Sequence, residues 1–206
     1  MTSLSVAAAS RMHPRDREVP PPAPRRWLGR VLMLVALGLA AHSLWLPAKA
    51  MLAQQLLDHA WSAGVADGGA HRPWPWADTH PVARLQAPRL GVSQVVLAGD
   101  AGRSLAFGPG WAEASAAPGT IGTTIISGHR DTHFRWLAEL RDGDWVSLES
   151  AAGLRRYRIT GREVVDSRTT RIATSSADRL VLVTCWPFDA TAARGPLRYV
   201  VTLAPL

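Results

Sequence analysis

Short runs of apolar and β-branched residues, separated by turn formers, fill the chain from residue 82 to its end. The separators carry Gly, Pro, Asp or Ser, as in Gly108-Pro109-Gly110 and Asp142-Gly143-Asp144. Even spacing of such short runs predicts an all-β barrel or sandwich. The predicted strands are Val82 to Gln86, Val92 to Leu97, Thr123 to Ser127, Trp145 to Leu148, Arg155 to Ile159, Glu163 to Asp166, Leu180 to Thr184 and Leu197 to Leu203. Phe134, Leu137 and Leu140 recur at helical spacing, which predicts a short helix from Phe134 to Leu140 with that face in the core.

A long apolar run lies nearer the N-terminus. From Val31 to Leu46 the chain is uncharged and nearly all apolar, with His42 as the exception. Together with Trp27 and Trp45, whose side chains suit the two membrane interfaces, the run approaches the ~20 residues that cross a bilayer. The pattern predicts a transmembrane helix.

Charges beside this run predict its orientation. Arg25, Arg26 and Arg30 precede it and Lys49 follows it, which favours a cytoplasmic N-terminus. A cleaved signal peptide stays open, because Ala48-Lys49-Ala50 resembles a small-x-small cleavage site. The run is long for a signal peptide, so an uncleaved anchor is favoured. In both cases everything after about residue 50 is exported.

These patterns divide the chain into four parts. Residues 1–26, rich in Ala, Ser, Arg and Pro, are expected to be a disordered cytoplasmic tail. Residues 27–47 form the predicted anchor. Residues 48–78 begin as an amphipathic helix and continue as a linker broken by Gly and Pro. Residues 79–206 form the β-domain.

Composition narrows the possible functions. The net charge is +7, yet much of the basic excess lies beside the apolar run and the remaining arginines are scattered. Without a basic stripe interleaved with aromatic residues, no nucleic-acid partner is expected. A single cysteine excludes an intramolecular disulfide and a site built from several cysteines.

That cysteine, Cys185, stands at the end of the predicted strand Leu180 to Thr184, and Pro187 stops regular pairing just beyond it. A loop leaving a rigid strand is a good place to present a reactive group. A lone cysteine is more often a small buried apolar residue. A nucleophilic thiolate, with an ordinary pKa of about 8.5, needs a nearby imidazole or cation.

His129 supplies a candidate partner, because it ends a second β-branched run, Thr124 to Ser127. A strand-end histidine and a strand-end cysteine together suggest a Cys–His nucleophilic pair. His133 lies four residues on, but the glutamate of the zinc-protease helix is missing and a strand would not align the two rings. His129-Arg130-Asp131 echoes a kinase catalytic loop, without the glycine-rich loop and strand lysine. For Asp131 two roles are predicted: it orients a neighbouring side chain, or it caps the helix that follows.

Attack on an amide or ester also needs a group that stabilises the oxyanion. The cations after Cys185 are Arg194 and Arg198. Arg198 is favoured because it lies in a predicted strand, and strands position groups better than loops. Arg194, in the loop, is the alternative.

These motifs resemble those of the sortases, membrane-anchored cysteine transpeptidases with a closed β-barrel fold. The matching segments are Ser127-Gly128-His129-Arg130, Leu182-Val183-Thr184-Cys185 and the downstream Arg198. The likeness extends over about residues 48 to 206 and is greatest to class GN, found in Gram-negative bacteria. Val181 replaces the first threonine of the family's Thr-Leu-x-Thr-Cys signature.

The resemblance implies a closed eight-stranded barrel in which His129, Cys185 and Arg198 are catalytic and Thr184 contacts the substrate. The Cys185 thiolate would attack a backbone carbonyl in a C-terminal, LPXTG-like sorting motif of an exported protein. Arg198 and backbone N–H groups near the cysteine would stabilise the oxyanion, and His129 would protonate the leaving amine.

An amine acceptor, or slowly water, would then resolve the thioester. No metal or cofactor is expected, and the inner (plasma) membrane is the implied location, with the catalytic domain on the periplasmic side. Two alternatives stay open. One is a plain cysteine peptidase; the other is a non-catalytic membrane-anchored β-barrel that binds a surface protein, with Cys185 inert.

Overall fold

The computed structural model describes residues 26–190 and 195–206. Eight strands close into a barrel with the order β1-β2-β3-β4-β7-β8-β6-β5, which β1 completes by pairing with β5. The closed barrel confirms the predicted fold class. The strands are β1 Pro81–Ala87, β2 Val92–Ala98, β3 Gly110–Trp111, β4 Thr123–Ser127, β5 Trp145–Ser150, β6 Gly153–Asp166, β7 Arg179–Cys185 and β8 Leu197–Pro205.

Two of the strand pairs are parallel. β2 runs parallel to β3, and β4 runs parallel to β7, whereas the other neighbours are antiparallel. Because β4 and β7 point the same way, their C-terminal ends lie at the same end of the barrel, where β8 begins. The topology therefore brings two strand ends that are far apart in sequence to one place.

The core is filled from alternate positions along the strands. Buried and half-buried residues alternate along β1, so that Ala83, Leu85 and Ala87 point inward. Leu182 of β7 and Leu203 of β8 belong to the same core cluster and are fully buried. Burying a leucine side chain stabilises the fold by about 1.5–3 kcal/mol relative to leaving it exposed. This burial fixes the register of the strands, on which the positions of the site residues depend.

Two strands differ from the prediction. The segments predicted as separate strands, Arg155 to Ile159 and Glu163 to Asp166, are one strand, β6, with a register shift between Ile159 and Gly161. The irregularity at this glycine resembles a strand end in the sequence pattern. The short strand β3 lies where a turn was predicted. A Cβ on Gly110 would stand 2.3 Å from the Gly99 carbonyl oxygen, so this strand requires glycine.

The predicted helix from Phe134 to Leu140 is a 3₁₀ helix, Arg135–Glu139. Phe134, Leu137 and Leu140 are all buried in the core, as predicted. Their regular spacing of three matches the 3.0 residues per turn of a 3₁₀ helix better than the 3.6 of an α-helix. A second short helix, α2, spans Gly102–Leu105.

A long helix, α1, begins at Arg26 and ends at Asp67, with Pro47 inside it. The predicted tail, residues 1–26, lies outside the described residues except for Arg26. The chain divides into two units, one ending at Leu44 and one beginning at Trp45. In the first unit the apolar side chains of α1 are exposed, and by length and composition this helix can cross a membrane.

In the second unit the end of α1 packs on the barrel. Leu57 is fully buried with Trp61 against Val95 and Leu97 of β2. An ion pair of 2.8 Å joins Asp58 to an arginine of β1, Arg84. The helix continues through Gly64 to Asp67, and residues 68–80 connect it to β1.

Candidate active site

Cys185 is the last residue of β7, and its thiol is free and half-buried. Leu180 and Leu182 point into the core. Because side chains alternate along a strand, Cys185 lies with Val183 on the outer face. The thiol therefore sits at the end of a rigid strand, with one side open to approach.

Arg198 lies directly opposite Cys185 in the β7–β8 ladder. The Trp186 N–H donates to the Leu197 carbonyl at 3.1 Å, which makes these two residues a hydrogen-bonded pair. The next pair, Cys185 and Arg198, is therefore a non-hydrogen-bonded pair, with Cα atoms about 4.5 Å apart and side chains close on the same face.

His129 lies at the same level on the other side of Cys185. Ser127 of β4 is in register with Val183 of β7, and His129 and Cys185 each follow two residues later. The His129 side chain is exposed. Its carbonyl accepts a hydrogen bond of 2.9 Å from the Phe134 N–H. The three residues predicted as catalytic thus lie at the ends of three neighbouring strands, β4, β7 and β8.

Gly128, just before the histidine, is packed too closely for any other residue. Its N–H donates to the Val183 carbonyl at 3.0 Å. An added Cβ would stand 2.8 Å from two ring atoms of Phe134, which is fully buried. The direction in which the chain carries His129 therefore depends on glycine at this position.

Thr184 is buried in this structure, and its contact with substrate stays a prediction. Its side chain is 2% exposed and lies on the opposite face of β7 from Cys185. The Thr184 hydroxyl donates to the Gly128 carbonyl at 2.8 Å. Through this bond Thr184 ties the cysteine strand to the histidine segment.

Donors for an oxyanion are few on the backbone after the cysteine. The Trp186 N–H is used in the ladder, and Pro187 has no N–H. Arg198 is half-buried, and one of its terminal nitrogens, Nη1, donates to the carbonyls of Gly195 and Leu197 at 2.8 and 2.9 Å. Its other N–H groups form no hydrogen bond with the described residues. Arg194, the alternative cation, lies outside the described residues.

Arg130 is a residue of the site that sequence reasoning missed. Its side chain is 4% exposed, although it directly follows the exposed His129. It donates to both carboxylate oxygens of Asp131, at 2.7 and 3.0 Å. This pairing raises the pKa of Arg130 and holds the pKa of Asp131 below its ordinary value. Asp131 therefore orients a neighbour, one of its two predicted roles. The sequence signal was an Arg-Asp pair directly after the histidine.

Three aromatic rings surround the start of the β7–β8 loop. Trp186 stacks on Tyr199 with ring centroids 5.6 Å apart, and Phe188 meets both rings edge-on at 5.5 and 5.3 Å. Phe188 and Tyr199 also pack against the barrel core. The segment that follows the cysteine is thereby fixed to the barrel end.

Comparison with known proteins agrees with this geometry. A protein-family model described as the sortase domain matches residues 85–205. Sortase D of Bacillus subtilis (strain 168) is 33% identical over 119 residues, which is 57% of this chain and 60% of that protein. The chain thus spans about 60% of the length of this curated relative.

Solved structures share the fold. A sortase D5 transpeptidase of Clostridium perfringens superposes with a TM-score of 0.61 at 20% identity, covering 76% of this chain and 99% of that one. Sortase A from Corynebacterium diphtheriae gives a TM-score of 0.56 at 22% identity, covering 64% and 63%. At these identities the structures show the fold alone. The class GN assignment stays a prediction.

Proposed function

This chain belongs to the sortase family, and from that premise we propose that it is a membrane-anchored cysteine transpeptidase. One observation carries the proposal: His129, Cys185 and Arg198 end or begin neighbouring strands at one level of the barrel. A thiol, an imidazole and a guanidinium so arranged suit acyl transfer, in which the thiol attacks, the imidazole moves the proton and the guanidinium meets developing negative charge.

The first half of the reaction forms a thioester. The Cys185 thiolate attacks the carbonyl carbon of a peptide bond, and the electron pair moves to the oxygen. Arg198 stabilises this oxyanion with its fixed positive charge. As the tetrahedral intermediate collapses, the C–N bond breaks and the departing amine takes a proton from protonated His129.

The second half restores the enzyme. An amine acceptor attacks the thioester carbon, neutral His129 removes its proton, and the C–S bond breaks to release the Cys185 thiolate. The product carries a new amide bond. Water in place of the amine would give a carboxylate, which is the outcome of a plain peptidase.

Arg198 bears more of the oxyanion stabilisation in this proposal than the sequence indicated. The two residues after Cys185 offer no free backbone N–H. The Arg198 guanidinium, on the opposite strand, keeps N–H groups that no described residue accepts. Arg198 is therefore proposed as the main donor to the oxyanion.

The apolar start of α1 is proposed to hold the enzyme in the inner membrane. Positions 27–47 would span the bilayer, with the arginine-flanked N-terminus in the cytoplasm and the barrel, residues 79–206, on the exported side. The proposed substrate is an exported protein with a C-terminal sorting motif. The acceptor is a primary amine.

The test uses the full chain in detergent with LPXTG-like peptides and a series of primary amines. Formation of a new amide, followed by mass spectrometry, supports a transpeptidase. Release of the carboxylate alone at every amine concentration identifies a peptidase. If the peptides stay intact and iodoacetamide fails to label native Cys185, the barrel is a binding module and the proposal is wrong.

A further inference from the structure

Arg130 is a buried cation to which the chemistry above gives no role. It lies between His129 and the 3₁₀ helix, and burying a guanidinium is unfavourable unless it is paired and hydrogen-bonded. The adjacent carboxylate of Asp131 supplies the pairing on one side. The other side of the guanidinium faces the loop that follows Cys185.

The contacts on that side reach two backbone carbonyls. Nη1 of Arg130 donates to the Pro187 carbonyl at 2.5 Å, and Nη2 donates to the Ala190 carbonyl at 2.8 Å. Phe188 and Asp189 form a turn between these two residues. The two bonds from Arg130 and the aromatic packing of Phe188 tie this turn to the barrel end.

The arrangement is reciprocal. Thr184, next to the cysteine, donates to the Gly128 carbonyl next to the histidine. Arg130, next to the histidine, donates to carbonyls just after the cysteine. Each strand end is thus braced by a buried polar side chain of the other.

We propose that Arg130 is a positioning residue that fixes the segment Pro187–Ala190, one wall of the groove in which the peptide meets Cys185. This inference rests on the proposed acyl transfer. Arg130 touches neither the thiol nor the reacting carbonyl in this scheme; it acts through the segment that it holds.

A planar guanidinium suits this task and an ammonium does not. Arg130 uses three nitrogens to bind a carboxylate and two carbonyls at fixed angles, and lysine offers one nitrogen on a flexible stem. The guanidinium also lies close enough to Cys185 for their charges to interact, which contributes to the raised pKa of Arg130. Arg130→Lys keeps the positive charge near Cys185 and removes the fixed hydrogen bonds to the Pro187 and Ala190 carbonyls. The variant therefore separates the effect of the charge from the effect of holding the segment.

The experiment compares Arg130→Lys with a matched control, Arg89→Lys, in the full chain in detergent. Arg89 also forms a two-pronged pair with an aspartate, Asp144, and donates to a carbonyl, that of Glu139. It touches neither strand end. Three quantities are measured: kcat/KM for an LPXTG-like peptide, the rate of Cys185 alkylation by iodoacetamide, and the rate of chymotrypsin cleavage after Phe188.

Arg130→Lys is expected to lower kcat/KM at least 10-fold and to speed cleavage after Phe188 at least 10-fold. Its alkylation rate should stay within twofold of the wild type, because iodoacetamide needs no groove. Arg89→Lys should change none of the three. Equal losses of kcat/KM in both variants, or unchanged cleavage after Phe188 in Arg130→Lys, would overturn the inference.

Two further outcomes are covered. If Arg130→Lys does not fold, Asp131→Asn removes the carboxylate that aligns the guanidinium and should give smaller changes of the same direction; no change in cleavage after Phe188 overturns the inference. If the wild type leaves the peptide intact and iodoacetamide does not label Cys185, the proposed function fails, and the cleavage rates still decide whether Arg130 holds the segment.

Discussion

The ends of β4 and β7 are built alike, and each sets an exposed residue beside a buried one. At the end of β4, His129 is exposed and Arg130 is buried; at the end of β7, Cys185 is half-open and Thr184 is buried. The open residues carry the proposed chemistry, and the buried ones bind backbone of the other strand end. At each strand end, one residue takes part in the proposed reaction, and the residue next to it holds the backbone in place.

This division predicts separable effects of mutation. Changing an open residue should remove activity and leave the free energy of unfolding nearly unchanged, because surface substitutions usually stay within about 0.5 kcal/mol. Changing a buried residue should lower the free energy of unfolding as well.

After the nucleophile itself, the largest effect is expected at Arg198. Arg198→Ala should lower kcat/KM for an LPXTG-like peptide on the order of 10²-fold or more, because the oxyanion loses its cation, with little change in thermal stability. Arg194→Ala is the control and should be nearly silent. A loss of that size in Arg194→Ala, with Arg198→Ala nearly silent, would reverse the assignment of the two arginines.

Gly128→Ala tests the packing that directs His129. The new methyl group would collide with the Phe134 ring, and overpacking of this kind costs about 1–3 kcal/mol. Urea unfolding measures the change in free energy. Gly161→Ala is a matched control in β6, where a Cβ meets nothing within 4 Å. If the two variants are equally stable, the contact with Phe134 does not constrain the strand end.

Much of this could be read from the sequence, and the limits have physical causes. The strand ends at Ser127 and Cys185 are visible because β-branched runs stop at Gly and Pro there. These two strand ends lie side by side because β4 pairs parallel to β7, and the pattern of residues within each strand does not reveal that pairing. The burial of Thr184 could not be read from the sequence, because a residue beside the nucleophile resembles a substrate contact until the strand's two faces are known.

Other differences arise from backbone contacts. Gly110 looks like part of a turn, and only its close approach to the Gly99 carbonyl explains why it lies in a strand. Arg130 looks like a solvated charge in the sequence. Its burial follows from carbonyls contributed by a loop more than fifty residues away.

Thr184→Val tests the brace from the cysteine strand. The isosteric change leaves the Gly128 carbonyl without its donor, and an unsatisfied buried polar group costs about 1–3 kcal/mol. Thr184→Ser keeps the hydroxyl and should retain more of the stability and activity. In Thr184→Val, the free energy of unfolding measured in urea and kcat/KM for the peptide should both fall. If the variant is as stable as the wild type, the hydrogen bond from Thr184 does not hold the two strand ends together.

The smallest effect is expected at Asp131, whose carboxylate is exposed. The hydrogen bond from Arg130 holds the pKa of Asp131 below that of the unfolded chain, about 3.9. Its contribution to stability is therefore complete above the unfolded pKa and is lost as the pH falls through the folded pKa.

Asp131→Asn should accordingly flatten the fall of the urea midpoint as the pH drops below about 5. Asp144→Asn serves for comparison, because Arg89 also lowers the pKa of Asp144 and that carboxylate is mostly buried. An unchanged acid profile in Asp131→Asn would show that the Arg130 pair does not contribute to folding.

Cys185 is proposed as the nucleophile that becomes acylated. Mass spectrometry of the intact chain, quenched in acid after mixing with an LPXTG-like peptide, should show a thioester adduct that maps to Cys185 and disappears on addition of hydroxylamine. Cys185→Ala should carry no adduct while keeping the thermal stability of the wild type. An adduct of equal yield on Cys185→Ala would contradict the account.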